Sequence, residues 1–359
     1  MIVTFNITLV NYLLDYVARA ERERKIREKI EAWNFHSWCK FLAAKVGCRS
    51  EYRSLWRDNN HQAVLDKLLA ESVIGWCEKL NEDDRYDAIL VDEGQDFQRD
   101  WWIALRSALK SSGEMLLVAD RAQNIYGVEN WLDGDLRGTG LSSTWYELSA
   151  SYRMPEALID IAADFANRYL PATEAIIPTP VNRGLDLAPD RLSWIQCEES
   201  EALEACMFGI SDLLALTNPI ISVSDLTIIT DDTGVGLLIE DALKKRLGVR
   251  CIHTLTPDSG DDEQRNTESR RKKLAFFRSD HRAKLTTIQS FKGWESSVLI
   301  LYVSKAESLE QLSLVYTGMT RLKAVDRGAI LTVISSAPSL ESFGAGWPVF
   351  KRYQTTLQI

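Results

Sequence analysis

The sequence predicts an α/β protein built from two domains with mostly parallel sheets. Short apolar runs alternate with stretches of helical period through most of the chain, which is the pattern of parallel strands joined by crossover helices. One such run, Ile89–Val91, has the length of a single buried strand and is followed at once by two carboxylates, Asp92 and Glu93. A chain of 359 residues is also long enough for two separate cores.

The first domain is expected to span residues 1–145. It begins with a strand at 2–6 and one helix over roughly 8–31, where apolar residues and charges of both signs recur at helical spacing. A second helix is expected to start near Ser37. The remaining elements are a helical insertion at about 48–82, a strand at 87–92, a helix at 98–110 and a strand at 115–119.

The second domain is expected to span residues 146–359, after the turn-rich segment Asp133–Thr144. It opens with a helix at 155–169 that has one apolar face, and the polar stretch Thr256–Arg271 is expected to be mobile. The expected strands are 192–196, 225–230, 284–289, 297–303 and 329–334, and the expected helices are 199–216, 234–247 and 307–322.

Composition narrows the class of protein. The hydrophobic fraction of 45% and the charged fraction of 26% are those of a soluble globular chain. A net charge of −9 argues against a surface that attracts nucleic acid as a whole, but it permits a local groove where single-strand bases stack. Six cysteines without a Cys-x-x-Cys pair favour reduced thiols in a cytoplasmic protein, and no apolar run has the length of a membrane span.

The motif Asp92-Glu93-Gly94-Gln95-Asp96 stands directly after the apolar strand. Open α/β sheets bind ligands outside the carboxyl ends of their strands. In a nucleotide-hydrolysing site the first carboxylate would hold Mg²⁺, and the second would orient or deprotonate the attacking water. An Asp here can instead cap the next helix. Asp96 is closer to the expected helix start and suits that role better, which leaves Asp92 and Glu93 for chemistry.

This motif resembles the Walker-B element of UvrD/Rep-like superfamily 1 DNA helicases. Other segments resemble further motifs of that family, in the family's order: Val3-Thr4-Phe5-Asn6, Asn34-Phe35-His36-Ser37-Trp38, Asp120-Arg121-Ala122-Gln123-Asn124-Ile125-Tyr126-Gly127, Leu148-Ser149-Ala150-Ser151-Tyr152-Arg153-Met154-Pro155, Thr286-Thr287-Ile288-Gln289-Ser290-Phe291-Lys292-Gly293-Trp294-Glu295 and Val315-Tyr316-Thr317-Gly318-Met319-Thr320-Arg321. The resemblance implies two RecA-like P-loop NTPase-type domains that use ATP and Mg²⁺ to move 3′ to 5′ along single-stranded DNA.

The resemblance also implies site residues. Gln123 would sense the γ-phosphate, Arg153 would contact phosphate, and Arg321 would be an arginine finger, because a planar guanidinium binds phosphate oxygens through two hydrogen bonds. The ordinary alternatives are a turn residue for Gln123 and ion-paired arginines. The implied catalytic residues are Asp92, which would also hold Mg²⁺, Glu93, Gln123, Arg153 and Arg321. The implied nucleotide contacts are Tyr152, Gly293 and Glu295, although a solvated loop carboxylate remains an alternative for Glu295.

Nucleic-acid contacts are expected from aromatic and polar residues in the same motifs. The residues implied are Phe5, Asn6, His36, Tyr126, Thr287 and Trp294. An aromatic ring stacked on an unpaired base contributes roughly 1–3 kcal/mol, although burial in a core is the ordinary alternative for any one ring. Lys292, Arg282 and Lys284 would provide a local basic groove near the fifth motif.

One element of the family pattern is absent from the 359 residues. No Gly is followed by Lys anywhere, so the chain contains no Gly-x-x-x-x-Gly-Lys-Ser/Thr loop. That loop supplies backbone N–H groups and a Lys for the phosphates, and a hydroxyl for Mg²⁺. Two explanations stay open: the chain is truncated or starts in the wrong place, or it is a natural descendant that has lost ATP hydrolysis.

Two functions follow as hypotheses. The first is a UvrD-like helicase or translocase core without its P-loop. The second is an inactive helicase-like protein that binds nucleic acid or acts as a scaffold for a nuclease or another partner in DNA repair or phage defence, which is an argument by analogy. A metal-dependent nuclease built on Asp92, Glu93 and Asp96 is disfavoured, because no further carboxylate or His cluster accompanies them.

Overall fold

The computed structural model divides into two compact units, Met1–Tyr146 and Glu147–Ile359. It describes residues 1–120, 136, 138–141, 145–146, 148, 150–151, 153–171, 179–180, 188–216, 221–258 and 261–354. Within these residues no helix combines the length and the apolarity needed to cross a membrane. All six cysteines are buried free thiols.

The first unit is a parallel sheet with helices packed on it. Its strands are β1 (Ile2–Thr4), β2 (Ala32–Asn34), β3 (Tyr86–Val91) and β4 (Leu109–Leu117). Its helices are α1 (Ile7–Ala20), α2 (Arg24–Arg27), α3 (Phe35–Lys45), α4 (Arg49–Asp58), α5 (His61–Ala63), α6 (Leu69–Cys77) and α7 (Arg99–Arg106), with a π-helical turn at Val64–Leu68 and 3₁₀ turns at Glu82–Asp84 and Gly94–Asp96.

The four strands lie in the order β2-β1-β3-β4, and every pair is parallel. Val3 of β1 is paired with Val91 of β3, so the residues that follow the two strands emerge at the same edge. The inner face is a core in which Phe35, Trp38 and Trp102 are almost completely buried. The acidic motif after β3 is therefore held at the carboxyl edge of a well-packed sheet.

The single helix expected over residues 8–31 is wrong. Helix α1 ends at Ala20, the short helix α2 follows, and Ala32–Asn34 form strand β2 beside β1. The charges of both signs around α2 recur at helical spacing and would also fit one long helix. However, α2 has no buried residue that could hold such a helix against the sheet. Pairing with β1 decides the local structure instead.

The second unit contains a larger parallel sheet. Its strands are β5 (Ala150–Ser151), β6 (Thr179–Pro180), β7 (Arg191–Gln196), β8 (Leu226–Thr230), β9 (Cys251–His253), β10 (Ala283–Thr287), β11 (Val298–Val303), β12 (Ile330–Ser335) and β13 (Val349–Arg352). Its helices are α8 (Glu156–Tyr169), α9 (Ala202–Leu214), α10 (Thr233–Leu247), α11 (Asp262–Leu274), α12 (Ile288–Phe291), α13 (Leu309–Met319) and α14 (Glu341–Gly344).

Seven strands of this unit form one sheet in the order β13-β7-β12-β11-β8-β10-β9, while β5 and β6 form a separate pair. Strands β8, β11 and β12 are entirely buried, as expected for the middle of a parallel sheet covered on both faces. The protein is therefore a mixed α/β chain with two mostly parallel sheets, an architecture compatible with a Rossmann or RecA-like fold.

Candidate functional site

The turn after β3 holds Glu93 in an unusual backbone conformation. Its φ of 57° and ψ of 47° are left-handed, and Glu93 is the only non-glycine residue with positive φ in the part of the chain that the structure describes. A left-handed conformation costs an L-residue roughly 1–2 kcal/mol. Residues held in such conformations cluster at functional sites, where the surrounding structure maintains them. The geometry thus marks Glu93 as a candidate functional residue.

Two neighbours hold this turn in place. Gly94 donates its N–H to Val118 O at 2.8 Å, and a Cβ at position 94 would lie 2.8 Å from Leu117 Cγ. Gln95 donates from Nε2 to Glu93 Oε2 at 2.6 Å and accepts at Oε1 from the N–H of Asp120 at 2.9 Å. Gly94 is therefore required by close approach, and Gln95 links the Glu93 carboxylate to the segment after β4. Sequence reasoning gave Gln95 no role.

The left-handed turn leads to a prediction about stability. Both Glu93→Gly and Glu93→Ala remove the carboxylate, but glycine adopts positive φ without steric cost. We expect the glycine variant to be more stable than the alanine variant by about 1 kcal/mol, because the relief of strain exceeds the extra entropy of glycine in the unfolded chain. Urea denaturation of the two variants measures this difference. An alanine variant as stable as the glycine variant would contradict a strained Glu93.

The residues after β1 lie beside this turn. Asn6 caps α1 by accepting the N–H of Thr8 at 3.2 Å and is buried, so its oxygen has a structural role here rather than an exposed nucleic-acid contact. Thr4 Oγ1 is buried and has no hydrogen-bond partner among the described residues. The register that pairs Val3 with Val91 aligns Thr4 with Asp92. This edge therefore combines a carboxylate with an unsatisfied hydroxyl.

Phe5 and His36 belong to an aromatic cluster in the first unit. The Phe5 ring is stacked on Trp101 with centroids 5.9 Å apart, and the His36 ring meets Trp101 edge-on at 5.0 Å. Phe5 and His36 are partly buried, whereas Trp101 is buried. The structure thus brings together two of the residues expected to contact nucleic acid, on a rigid aromatic base.

The carboxyl edge of this sheet suits a divalent cation better than a nucleotide. Asp92 and Glu93 offer the oxygen ligands that Mg²⁺ takes, although the described residues contain no group of three or more His, Cys, Asp or Glu side chains able to hold a metal. Phosphates need cationic side chains or a cradle of backbone N–H groups. The segments 3–6 and 92–96 contain no Lys or Arg, so they supply no cationic side chain for a phosphate.

Arg153 and Arg321 converge on the carboxyl end of α13 in the second unit. Arg321 donates from Nε to Thr317 O at 3.0 Å, and from Nη2 to Thr320 Oγ1 at 3.3 Å, and is only 1% exposed. Arg153 donates from Nη2 to Thr320 O at 3.3 Å. Cations at this end of a helix stabilise its unpaired carbonyls. Both arginines thus have a structural role here, and Arg321 does not present an accessible phosphate fork.

The fifth motif is more buried than expected. Trp294 is 2% exposed and packs against Phe276 and Phe291, with centroids 5.1 and 6.0 Å away, so its ring has no open face for a base. Thr287 caps α12 by accepting the N–H of Ser290 at 3.2 Å. Gly293 has a φ of 83°, a value that favours glycine and lets the chain turn between its buried neighbours.

The basic groove expected near this motif is wrong. Lys292 is completely buried. Lys284 donates to Ser224 O at 2.6 Å and Asp280 O at 2.8 Å, and burial lowers the pKa of its ammonium. Arg282 is exposed but forms a two-bond pair with Asp280. The position of a Lys or Arg beside a motif in the sequence does not indicate whether its side chain is buried. Lys284 and Arg282 have hydrogen-bond partners inside the second unit.

Glu295 is neither a solvated loop residue nor an open nucleotide contact. Its side chain is 9% exposed and forms an ion pair with Lys323. The N–H of the next residue, Ser296, donates to Arg321 O at 3.1 Å, which ties this loop to the end of α13. Gln123, Tyr126 and Tyr152 lie outside the described residues.

A carboxylate closes the crevice at the centre of the larger sheet. The chain order reverses between β8 and β11, and such a switch point is where open α/β sheets bind ligands. Asp231, directly after β8, accepts the N–H and the hydroxyl of Ser304 at 2.8 and 2.9 Å and the N–H of Lys305 at 3.3 Å. Burial raises the pKa of Asp231, and these hydrogen bonds only partly oppose the effect. Sequence reasoning missed this residue.

Comparisons with known proteins add little to this geometry. No protein-family model matches the sequence, and no curated protein matches it. Among solved structures, the crystal structure of the C-terminal domain of a possible DNA helicase from Lactobacillus plantarum WCFS1 is 14% identical, with a TM-score of 0.33. The match covers 57% of this chain and 100% of that domain. A likeness at this level is weak and carries no argument about function.

Proposed function

We propose that this chain is a helicase-like protein of the UvrD/Rep type that binds single-stranded nucleic acid and does not hydrolyse ATP. One observation supports the proposal: the carboxylates that such a nucleotide site would use for Mg²⁺ follow β3, and the segments beside them supply no cationic side chain for a phosphate. The turn at Asp92 and Glu93 has a defined geometry, with Glu93 in a left-handed conformation, yet the 359 residues contain no P-loop sequence. The side chain of Arg321 is buried against its own helix.

The nucleic-acid part of the proposal rests on Phe5 and His36. Their partly buried rings are fixed against Trp101, and a ring fixed in this way can stack on an unpaired base without losing much conformational freedom. Trp294 is not part of this path, because its ring is inside the second unit. Single-stranded DNA is the expected partner, and a nuclease or another protein would supply the chemistry that the chain itself lacks.

A second candidate is an ATP-dependent helicase or translocase core. The left-handed backbone of Glu93 favours it, because a strained residue at a strand end is a feature of working catalytic sites. In that case Mg²⁺ held by Asp92 would supply Lewis-acid chemistry at the phosphates, and Glu93 would hold the attacking water.

Hydrolysis separates the two candidates. We expect the 359-residue chain to release phosphate from ATP no faster than its Glu93→Gln variant, with or without single-stranded DNA. A triphosphate without preorganised donors loses transition-state stabilisation that is worth about 10²–10³ in rate for one donor. Phosphate release in the presence of Mg²⁺, together with fluorescence anisotropy of a labelled oligonucleotide, tests both halves. DNA-stimulated hydrolysis that disappears in Glu93→Gln would favour the second candidate.

A further inference from the structure

Positive charge is concentrated in one stretch of an acidic chain. Residues 244–284 contain twelve Lys and Arg but only six Asp and Glu, whereas the whole chain has a net charge of −9. This stretch covers the end of α10, strand β9, helix α11 and the start of β10. Sequence reasoning assigned only Arg282 and Lys284 of this stretch to a basic groove, and it expected Thr256–Arg271 to be polar and mobile.

The fold gathers these charges around edge strand β9. The N–H of Ala283 donates to Arg250 O at 3.1 Å, which places Arg250 beside Arg282 where β9 and β10 begin. Lys272, in the last turn of α11, donates to Leu255 O at 2.8 Å, just beyond the other end of β9. Because β9 has three residues, roughly 10 Å in length, the backbone of Arg250 and the contact of Lys272 with Leu255 are separated by little more than this strand.

The residues that define this surface, here called the β9 edge, are exposed. They are Arg250, Arg270, Arg271 and Phe277. The Phe277 side chain is 47% exposed, so its ring is accessible to a partner. Two nearby acidic groups are already neutralised, since Glu268 pairs with Lys272 at 2.8 Å and Asp280 pairs with Arg282 at 2.7 Å.

Helix electrostatics explain only part of this arrangement. Acidic residues at the start of α11 and basic residues at its end match the helix dipole. The dipole accounts for Arg270 and Arg271, and the pair with Asp280 accounts for Arg282, but neither accounts for Arg250 or for the exposed ring of Phe277. A partner that is both anionic and aromatic accounts for all four residues of the β9 edge.

We infer that the β9 edge binds a single-stranded nucleic acid, with arginines on the phosphates and the Phe277 ring stacked on a base. Arginine forks pair with phosphate oxygens, and exposed rings stack on unpaired bases without sequence preference. This surface belongs to the second unit, whereas the Phe5 and His36 cluster belongs to the first. The inference rests on the proposed function in one respect, because both assign nucleic acid as the partner.

The test is a titration of the full chain with a labelled 20-nucleotide single strand at several salt concentrations. Arg270→Glu/Arg271→Glu should weaken binding by about tenfold or more, and should flatten the slope of log K against log salt by about 1.4, the value for two lost phosphate contacts. Phe277→Ala should weaken binding by about 5- to 150-fold. Arg22→Glu/Lys25→Glu, an exposed pair in the first unit with the same change in net charge, should leave both quantities unchanged.

Any other result of this titration would overturn the inference, the proposed function or both. Equal weakening by both charge reversals would mean that net charge, rather than the β9 edge, governs binding. Weakening by Phe5→Ala with none by the β9 edge variants would overturn the inference and leave the proposed function standing. No binding by the wild-type chain would overturn both. Binding to vesicles with anionic headgroups that Arg270→Glu/Arg271→Glu abolishes, without oligonucleotide binding, would assign the surface to a membrane instead.

Discussion

Replacing Trp294 by alanine is expected to lower the free energy of unfolding of the second unit by about 3–5 kcal/mol, the usual cost of deleting a large aromatic side chain from a core. The indole is 2% exposed and packs against Phe276 and Phe291. Deleting it leaves a cavity beside Phe276 and Phe291 in addition to the lost apolar burial. A base-stacking residue at the surface would cost far less, so the size of the change separates the two roles.

The measurement must report on one unit at a time, because a chain with two units need not unfold in a single step. Buried thiols allow this: Cys197, Cys206 and Cys251 report on the second unit. Pulse labelling of thiols in urea, followed by mass spectrometry of the peptides, gives the unfolding midpoint of that unit. Phe277→Ala, an exposed aromatic of the same unit, should change stability by less than about 0.5 kcal/mol. If Trp294→Ala unfolds at the same urea concentration as this control, Trp294 is not a core residue and the expected contact with nucleic acid would be favoured.

Local sequence pattern predicted the strands that carry their own apolar signal. Strand β3, predicted at 87–92, is Tyr86–Val91, and the strand predicted at 297–303 is Val298–Val303. Strands β2 and β9 were missed because three residues are too few to show a period, and only pairing with a neighbour makes them strands. Helix α11 lies mostly in a stretch that was expected to be mobile, because the helix has no apolar stripe to reveal it.

The site shows a different limit. The Asp92-Glu93 motif could be found from its position after a strand, but nothing in the residue types reveals that Glu93 is left-handed or that Gly94 is required by the approach of Leu117. Resemblance to a motif likewise suggests a role for a residue but does not show whether its side chain is buried. Lys292 and Trp294 stand in the expected positions, yet both are inside the second unit. Burial depends on contacts between distant segments, which a single sequence does not show.

The second large effect is expected at Asp231. Replacing it by alanine leaves the N–H and hydroxyl of Ser304 and the N–H of Lys305 without their acceptor. Hydrogen bonds to a charged acceptor contribute about 1.5–3 kcal/mol each, and the N–H of the exposed Lys305 can bond to water instead. The two bonds from Ser304 therefore contribute about 3–6 kcal/mol, and because the cost of burying the Asp231 carboxylate offsets part of this, we expect a total loss of about 2–3 kcal/mol. Asp241→Ala, which removes an exposed partner of Lys245, should cost less than about 1 kcal/mol.

The dependence of this loss on pH tests its physical cause. Because burial raises the pKa of Asp231, the folded protein binds the Asp231 proton more tightly than the unfolded chain does. The stability from this proton is therefore fully present below the ordinary Asp pKa and is lost as pH rises through the folded value. We expect the stability advantage of the wild-type chain over Asp231→Ala, measured by thiol labelling in urea, to grow as pH falls from 7 towards 4.

If the hydrogen bonds from Ser304 and Lys305 outweighed burial, this stability advantage would instead shrink over the same pH range. If the stability advantage of the wild-type chain shrinks as pH falls, Asp231 acts as an ionised carboxylate that holds the ends of β8 and β11 together. The crevice would then be an anion-binding site that the Asp231 carboxylate occupies.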